Sequence, residues 1–156
     1  QRLDLSVNIL TNHAVSNDKI TVFGGDQMRP NLHVQDYCDA VELLMTAPAE
    51  KVQNEVFNVG FQNMSIADLA VLVKQVVEAE FPEKSEISIV TTQSEDNRSY
   101  HINSDKITRV LGFKPKYNIE DAIRDLCEAF KKNKLPNSMT DINYYNVKNL
   151  LAREAE

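Results

Sequence analysis

The sequence predicts an α/β protein built from short, mixed β-strands packed by helices. Three observations point there. Runs of three to five β-rich residues such as Ile20-Thr21-Val22-Phe23 recur along the chain. Between them lie longer stretches with apolar residues at helical spacing, such as Ile66, Leu69, Leu72, Val73, Val76 and Val77. The 156 residues are 42% hydrophobic and 26% charged, the make-up of a globular domain able to bury a core without staples.

The elements follow in order. Arg2 to Ser16 reads as a helix with a partly apolar face, closed by the turn chemistry of Asn17-Asp18. Ile20–Phe23 is a strand ended by Gly24-Gly25-Asp26. Asn31–Val34 is a second, with Pro30 at its entrance where a missing N–H costs least. Asp36 is placed to cap a helix over Tyr37–Met45, which Pro48 ends. Glu55–Val59 reads as a strand stopped by Gly60. Ser65 followed by Asp68 resembles a capping box opening the helix that Phe81-Pro82 breaks. Ile87–Val90 alternates like a half-buried strand, Thr91–Arg98 is a polar loop, and Tyr100–Ile102 is a short extended run. Ser104 caps a brief helix to Leu111, with Gly112 as its C′ residue and Pro115 beyond. Asn118 caps Ile119–Lys132, and Tyr144–Glu156 is weakly helical. The order is too irregular for a complete doubly wound sheet. Two units are expected: a lobe over 1–135 and a tail over 136–156.

Charge narrows the function classes. Aspartate plus glutamate number 23 against 17 lysines plus arginines, a formal net charge of −6. That balance argues against broad nucleic-acid or anionic-membrane binding, which needs a positive surface. No apolar run approaches the ~18 residues of a membrane span, and Gln1-Arg2-Leu3-Asp4 lacks a signal-peptide layout. A cytoplasmic location is the expectation. Cys38 and Cys127 sit in helical patterns without a partner at ligand spacing, and are expected to be buried free thiols. The chain opens without methionine and in the middle of an apolar pattern, as a piece of a longer protein does.

Few residues carry obvious chemistry. Gly24-Gly25 has neither the Gly-x-Gly-x-x-Gly pattern nor a Walker lysine, and is expected to be a strand-to-loop turn using positive φ. Arg29 and Arg98 lie in separate loops; two guanidinium forks converging from such positions would clamp a diphosphate. His13, His33 and His101 show no metal spacing, and His33 and His101 are expected to be structural. Asp36 and Asp39 are a poor acid–base pair if one is a helix cap. No Gly-x-Ser-x-Gly is present. Tyr144 and Lys148 have Tyr-x-x-x-Lys spacing, but two fixed residues in the tail read as coincidence.

Three ordered blocks add a resemblance. Ile20–Asp36, reading ITVFGGDQMRPNLHVQD, resembles a strand, glycine turn, arginine and His-Val-x-Asp segment of extended short-chain dehydrogenase/reductases that act on nucleotide sugars. Val56-Phe57-Asn58-Val59-Gly60 with Ser65-Ile66 looks like that family's next strand and helix. Asn97–Asn103 with Lys106, then Leu111-Gly112-Phe113-Lys114-Pro115, looks like its terminal substrate-binding signature.

The resemblance implies that the chain is the smaller, substrate-binding lobe of an NAD-dependent epimerase or dehydratase, without its Rossmann dinucleotide domain. It implies that Arg29 and Arg98 bind the diphosphate of a nucleotide-diphosphate sugar, that Val22 and Phe23 flank the nucleobase, and that Tyr100 lies near the phosphates. His33 and Asp36 match positions that order the fold, and Asn12 lies in a helix whose counterpart borders the substrate. The cofactor, NAD or NADP, and the catalytic Tyr-x-x-x-Lys belong to an N-terminal half. This chain alone is therefore expected to bind no cofactor and turn nothing over. The Val56–Gly60 strand is expected to join that half's sheet, and a homodimer would form through that half's helices. A non-catalytic module that kept the fold, or a related reductase or decarboxylase, remains the alternative.

Overall fold

The computed structural model describes residues 1–94 and 98–154. Part of the expected Thr91–Arg98 loop, Asn97 of the terminal signature and the last two residues of the tail lie outside them. The elements are α1 (Ser6–Asn17), β1 (Lys19–Phe23), β2 (Met28–Asn31), α2 (Val34–Thr46), α3 (Ala49–Val52), β3 (Gln62–Ser65), α4 (Ile66–Glu80), β4 (Ser88–Thr92), α5 (Asp105–Leu111), α6 (Ile119–Lys131), a 3-10 turn (Ile142–Tyr144) and α7 (Asn146–Glu154). This is the expected α/β mixture.

Two small sheets organise it. β1 and β4 pair in parallel, Lys19 opposite Ser88 and Phe23 opposite Thr92. β2 and β3 form an antiparallel ribbon, Met28 opposite Ser65 and Asn31 opposite Gln62. The main core lies where α1, α4 and α6 cover β1 and β4: Leu10, Ala14, Ile20, Val22, Leu69, Val73, Val77, Ile87 and Ile123 pack there. Ser65 caps α4 by accepting from the Asp68 N–H, and Asn118 opens α6 with a complete capping box to Asp121, as expected.

Several expectations need correction. The opening helix starts at Ser6, because the Leu3 N–H donates to the Tyr144 carbonyl at 2.8 Å and its side chain is buried with Leu126, Leu135 and Tyr145. The second strand lies earlier, at Met28–Asn31, with Pro30 inside it; a two-stranded ribbon tolerates proline on its open edge. His33, not Asp36, caps α2: its Nδ1 accepts from the Gln35 N–H. Asp36 sits in the first turn, fully buried. Glu55–Val59 forms no strand, and no described strand pairs with it; Val56 is 79% exposed. The strand of that region is β3, further on. Tyr100–Ile102 forms no strand either. It is tied to the ribbon by Tyr100 N–H to Met28 O and by Asn63, whose side chain exchanges two hydrogen bonds with the Ile102 backbone. Ser104 makes no cap bond to α5; its Oγ accepts from the Gly60 N–H instead. Gly112 does end α5 in the left-handed region, at φ 72°.

The thiols divide. Cys127 is buried, and desolvation pushes it up to about 11. Cys38 is exposed on α2, contrary to expectation, because α2 turns Val34, Tyr37, Val41 and Met45 outward with it. No helix among the described residues is long and apolar enough to cross a membrane.

Candidate functional site

β1 fixes one wall of the site. Successive strand side chains point to opposite faces, so Val22, 1% exposed, enters the core while Thr21 and Phe23 face the other way. There they line a cavity of about 260 Å³ together with Ser6, Ile9, Leu10 and His13 of the α1 side, Ile66, and the polar residues Asp4, Gln27, Arg29 and Ser94. Val22 thus does not reach the cavity, and Thr21 occupies the wall expected of it. Phe23 remains 59% exposed, a flat ring at the mouth.

The glycine turn aims the chain from β1 into β2. Gly24 and Gly25 have φ 78° and 131°, a region that side chains other than glycine's rarely adopt. Gln27 fills the turn: its Oε1 accepts from the Gly25 N–H at 2.7 Å and its Nε2 donates to the Phe23 carbonyl at 3.1 Å. A Cβ on Gly24 would meet that amide at 2.3 Å. The turn is therefore closed by its own side chain and offers no cradle for a dinucleotide pyrophosphate.

Beyond the turn, Arg29 and Arg98 come together. Arg29 Nη1 donates to the Arg98 carbonyl at 2.7 Å and to the Met28 carbonyl at 3.0 Å. Its guanidinium carbon lies 5.3 Å from the centre of the Tyr100 ring, a cation–π contact. Met28 N–H donates to Ser99 Oγ, so the 98–100 segment is laced along β2. Of the residues expected at the site, Arg29 and Phe23 line the cavity, and Arg98 and Tyr100 join through Arg29.

The other expected residues sit elsewhere. Asn12 is a buried residue of α1, bonded to Tyr145 and Ser138 and not part of the cavity lining. His33 stacks on Tyr117 at 4.7 Å and meets Asp125, and Asp36 accepts from the Lys116 and Tyr117 N–H groups; both order the fold as expected. Lys148 lies over the Tyr145 ring, so no Tyr144–Lys148 dyad forms. Among the described residues, no cluster of His, Cys, Asp and Glu could hold a metal.

Sequence reasoning missed most of the cavity lining, Thr21 and His13 among it. Thr21 was legible in the alternation of β1 once Val22 was assigned inward. His13 lies on the α1 face of Ser6, Ile9 and Leu10, and burial lowers its affinity for a proton. Asp4, at the cavity edge, is held ionised by Arg2, with the Asn146 N–H adding a bond.

A strand, glycine turn and arginine thus form one wall, joined to a second arginine-bearing loop, on a helix-packed pair of small sheets. The model of the GDP-mannose 4,6 dehydratase family matches residues 5–126, and the chain belongs to that family. It is 30% identical over 127 residues to a dTDP-glucose 4,6-dehydratase of Escherichia coli, covering 78% of this chain and 34% of that protein. A dTDP-D-glucose 4,6-dehydratase of Mus musculus is 28% identical over 121 residues, covering 75% and 33%. Among solved structures, UDP-glucose 4-epimerase of Thermotoga maritima with UDP-glucose superposes with a TM-score of 0.64 at 26% identity, covering 81% of this chain and 39% of that one. The NAD complex of dTDP-glucose 4,6-dehydratase from Bacillus anthracis gives 0.69 at 22% identity, over 86% and 41%, a likeness of fold. The chain spans about a third of the length of the curated relatives it matches.

Proposed function

We propose that this chain is the nucleotide-sugar-binding portion of an NAD- or NADP-dependent epimerase or dehydratase, with Arg29 and Arg98 clamping the substrate diphosphate. The observation that carries the reading is the 2.7 Å bond between the Arg29 guanidinium and the Arg98 carbonyl: two arginines 69 positions apart share one locus beside the cavity. A diphosphate is repelled at long range by a net charge of −6. At contact the arginines win, since each charge-assisted bond contributes about 1.5–3 kcal/mol. Tyr100 stacks against Arg29 and holds its plane, while Phe23 offers a face to a flat ring.

The role is affinity and orientation, which place the sugar against groups supplied elsewhere. The cofactor, when bound in a dinucleotide-binding half, supplies hydride transfer to and from the sugar. That half also covers the outward stripe Tyr37, Cys38, Val41 and Met45 of α2. A stripe of this kind, at spacing 3–4 on one helix face, suits a packed interface.

Calorimetry of the full-length protein with nucleotide-diphosphate sugars tests the clamp. Arg29→Ala and Arg98→Ala are each expected to weaken binding at least tenfold, and Arg29→Lys to fall between, because a point charge loses the fork. Unchanged affinity in both alanine variants sinks the reading. Turnover by the purified 156-residue chain alone would overturn the division of labour.

A further inference from the structure

One face of α1 forms a wall of the cavity. Ser6, Ile9, Leu10 and His13 stand there at i, i+3, i+4 and i+7, and Asp4 continues the wall just ahead of the helix. The far half of α1 is locked into the main core through Leu10 and Ala14. The near half is not built to stand alone. Leu5, at the N-cap, gives no side-chain bond to the first turn, and that turn holds no acidic residue. A helix start of this kind frays unless something outside it holds it.

What holds it comes from the other end of the chain. The Leu3 N–H donates to the Tyr144 carbonyl at 2.8 Å, and the Asn146 N–H donates to Asp4 Oδ2 at 2.9 Å, across 142 positions. The Leu3 side chain is fully buried against Leu126, Leu135 and Tyr145. Further along α1, Asn12 meets the same segment through the Tyr145 hydroxyl and Ser138. The other bonds of this start, Arg2 to Asp4 and Asn8 to the Arg2 carbonyl, are local. Residues 135–146 lie outside the stretch 5–126 that the family model matches. They are also lightly attached: α7 beyond them rests mainly on the 3-10 turn, and its Val147, Leu150 and Leu151 are exposed. A segment with so few outside contacts opens more easily than the core.

Resting on the nucleotide-sugar reading above, we propose that Tyr145 and Asn146 are positioning residues for the ligand. Residues 135–146 form a clasp that keeps the start of α1, and with it Asp4, Ser6 and Ile9, in the cavity wall. Neither Tyr145 nor Asn146 lines the cavity itself. A ligand in the cavity needs that wall, so it binds the clasped form better than the open one. Such coupling is reciprocal: the ligand favours closure by the same factor by which opening weakens the ligand.

A single-bond variant isolates the clasp. Asn146→Pro removes the N–H that Asp4 accepts. Asn146 is the first residue of α7, where proline is tolerated, and Tyr145 before it is already extended at φ −128° and ψ 103°. Asn146→Ala keeps the N–H. Tyr145→Phe, which removes only the hydroxyl, is the second probe of the clasp.

The test pairs calorimetry with hydrogen exchange on the full-length protein, using whichever of UDP-glucose, dTDP-glucose and GDP-mannose binds wild type most tightly. At saturation that ligand should slow amide exchange at 136–145 by about threefold or more, although none of those residues lines the cavity. Asn146→Pro and Tyr145→Phe should each weaken it about three- to tenfold while keeping a cooperative melt, and Asn146→Ala should stay within about twofold of wild type. If the ligand slows exchange in α1 but not at 136–145, or if Asn146→Pro and Tyr145→Phe both bind like wild type, the clasp assignment is wrong while the clamp stands. If Asn146→Ala loses as much as Asn146→Pro, the N–H is not the link and the assignment is likewise wrong. If wild type binds none of the three, or Arg29→Ala and Arg98→Ala both leave affinity unchanged, the nucleotide-sugar reading fails and takes this one with it.

Discussion

The buried carboxylate of Asp36 accepts the backbone N–H of Lys116 at 2.9 Å across eighty residues of chain. Its other oxygen takes the Tyr117 N–H at 3.0 Å. One side chain in the first turn of α2 therefore fixes the segment that leads into α6. Lys116 reinforces the joint from outside through its ammonium and Asp39. Asp36→Ala leaves two backbone donors without partners in a site with no exposure, so a loss of about 2–4 kcal/mol is expected. Urea denaturation reads it directly; a loss below half a kcal/mol would mean that the segment is held by other contacts.

Asn118 and Asp121 satisfy two otherwise orphaned N–H groups at the start of α6. Asn118→Ala should cost about 1 kcal/mol and Asn118→Gly only a few tenths. The ranking of the two variants in thermal melts is the informative quantity, and a reversed order would contradict the capping account.

Tyr145 receives Asn12 Nδ2 at 3.1 Å and donates to the Ser138 carbonyl at 2.7 Å, inside a cluster with Leu3, Leu126 and Leu135. Tyr145→Phe keeps the ring and removes the hydroxyl alone. Asn12 still reaches Ser138, so the expected loss is about 1–2 kcal/mol rather than unfolding. Hydrogen exchange should rise in α1 near Asn12 and in the 136–145 segment together; a change confined to one of them would break the link between them.

Stability should decline in mild alkali. Cys127 titrates near 9.0 when solvated and is pushed up to about 11 by burial, so the unfolded chain releases its proton first. The contribution is intact below pH 9 and fades as pH rises through 11, by roughly 2–3 kcal/mol in all. Burial raises Tyr145 as well, which adds a decline of the same sign above pH 10. Urea midpoints at pH 8 and pH 10.5 measure this, and equal midpoints would place solvent at the Cys127 sulfur.

Thiol labelling separates the cysteines and probes α2. In the native full-length protein, Cys127 should resist a maleimide for as long as the fold holds. Cys38 lies among Tyr37, Val41 and Met45, so slow labelling is expected if a second half covers that face. Rapid labelling of Cys38 at the rate of a free thiol would show the stripe to be open to water.

How much could be read beforehand follows from where each element gets its stability. α4 and α6 carry their periodicity and caps within their own residues, so Ser65 and Asn118 were legible. β3 has Gln62-Asn63-Met64-Ser65, with no alternation, and exists because Asn63 and β2 hold it. Glu55–Val59 has strand composition, but β-propensity describes fit to a pleated neighbour, and the described residues give it none. At the site, Arg29, Arg98, Phe23 and Tyr100 were reached through motif resemblance. His13 had no local signal, since nothing in the sequence says which face of α1 meets β1.

The parallel pairing of Lys19 with Ser88 and of Phe23 with Thr92 has a consequence for how the molecule is assembled. Each of those rungs spans 69 residues, a long loop to close before any reward is collected, and such topologies fold slowly. The wall that bears Thr21 and Phe23 cannot be secured until the ribbon, α2 and α4 have been synthesised and folded back. Binding competence therefore waits on a distant partner strand, and a nick in a loop between the two would leave the floor on which a ligand rests held by non-covalent contacts alone.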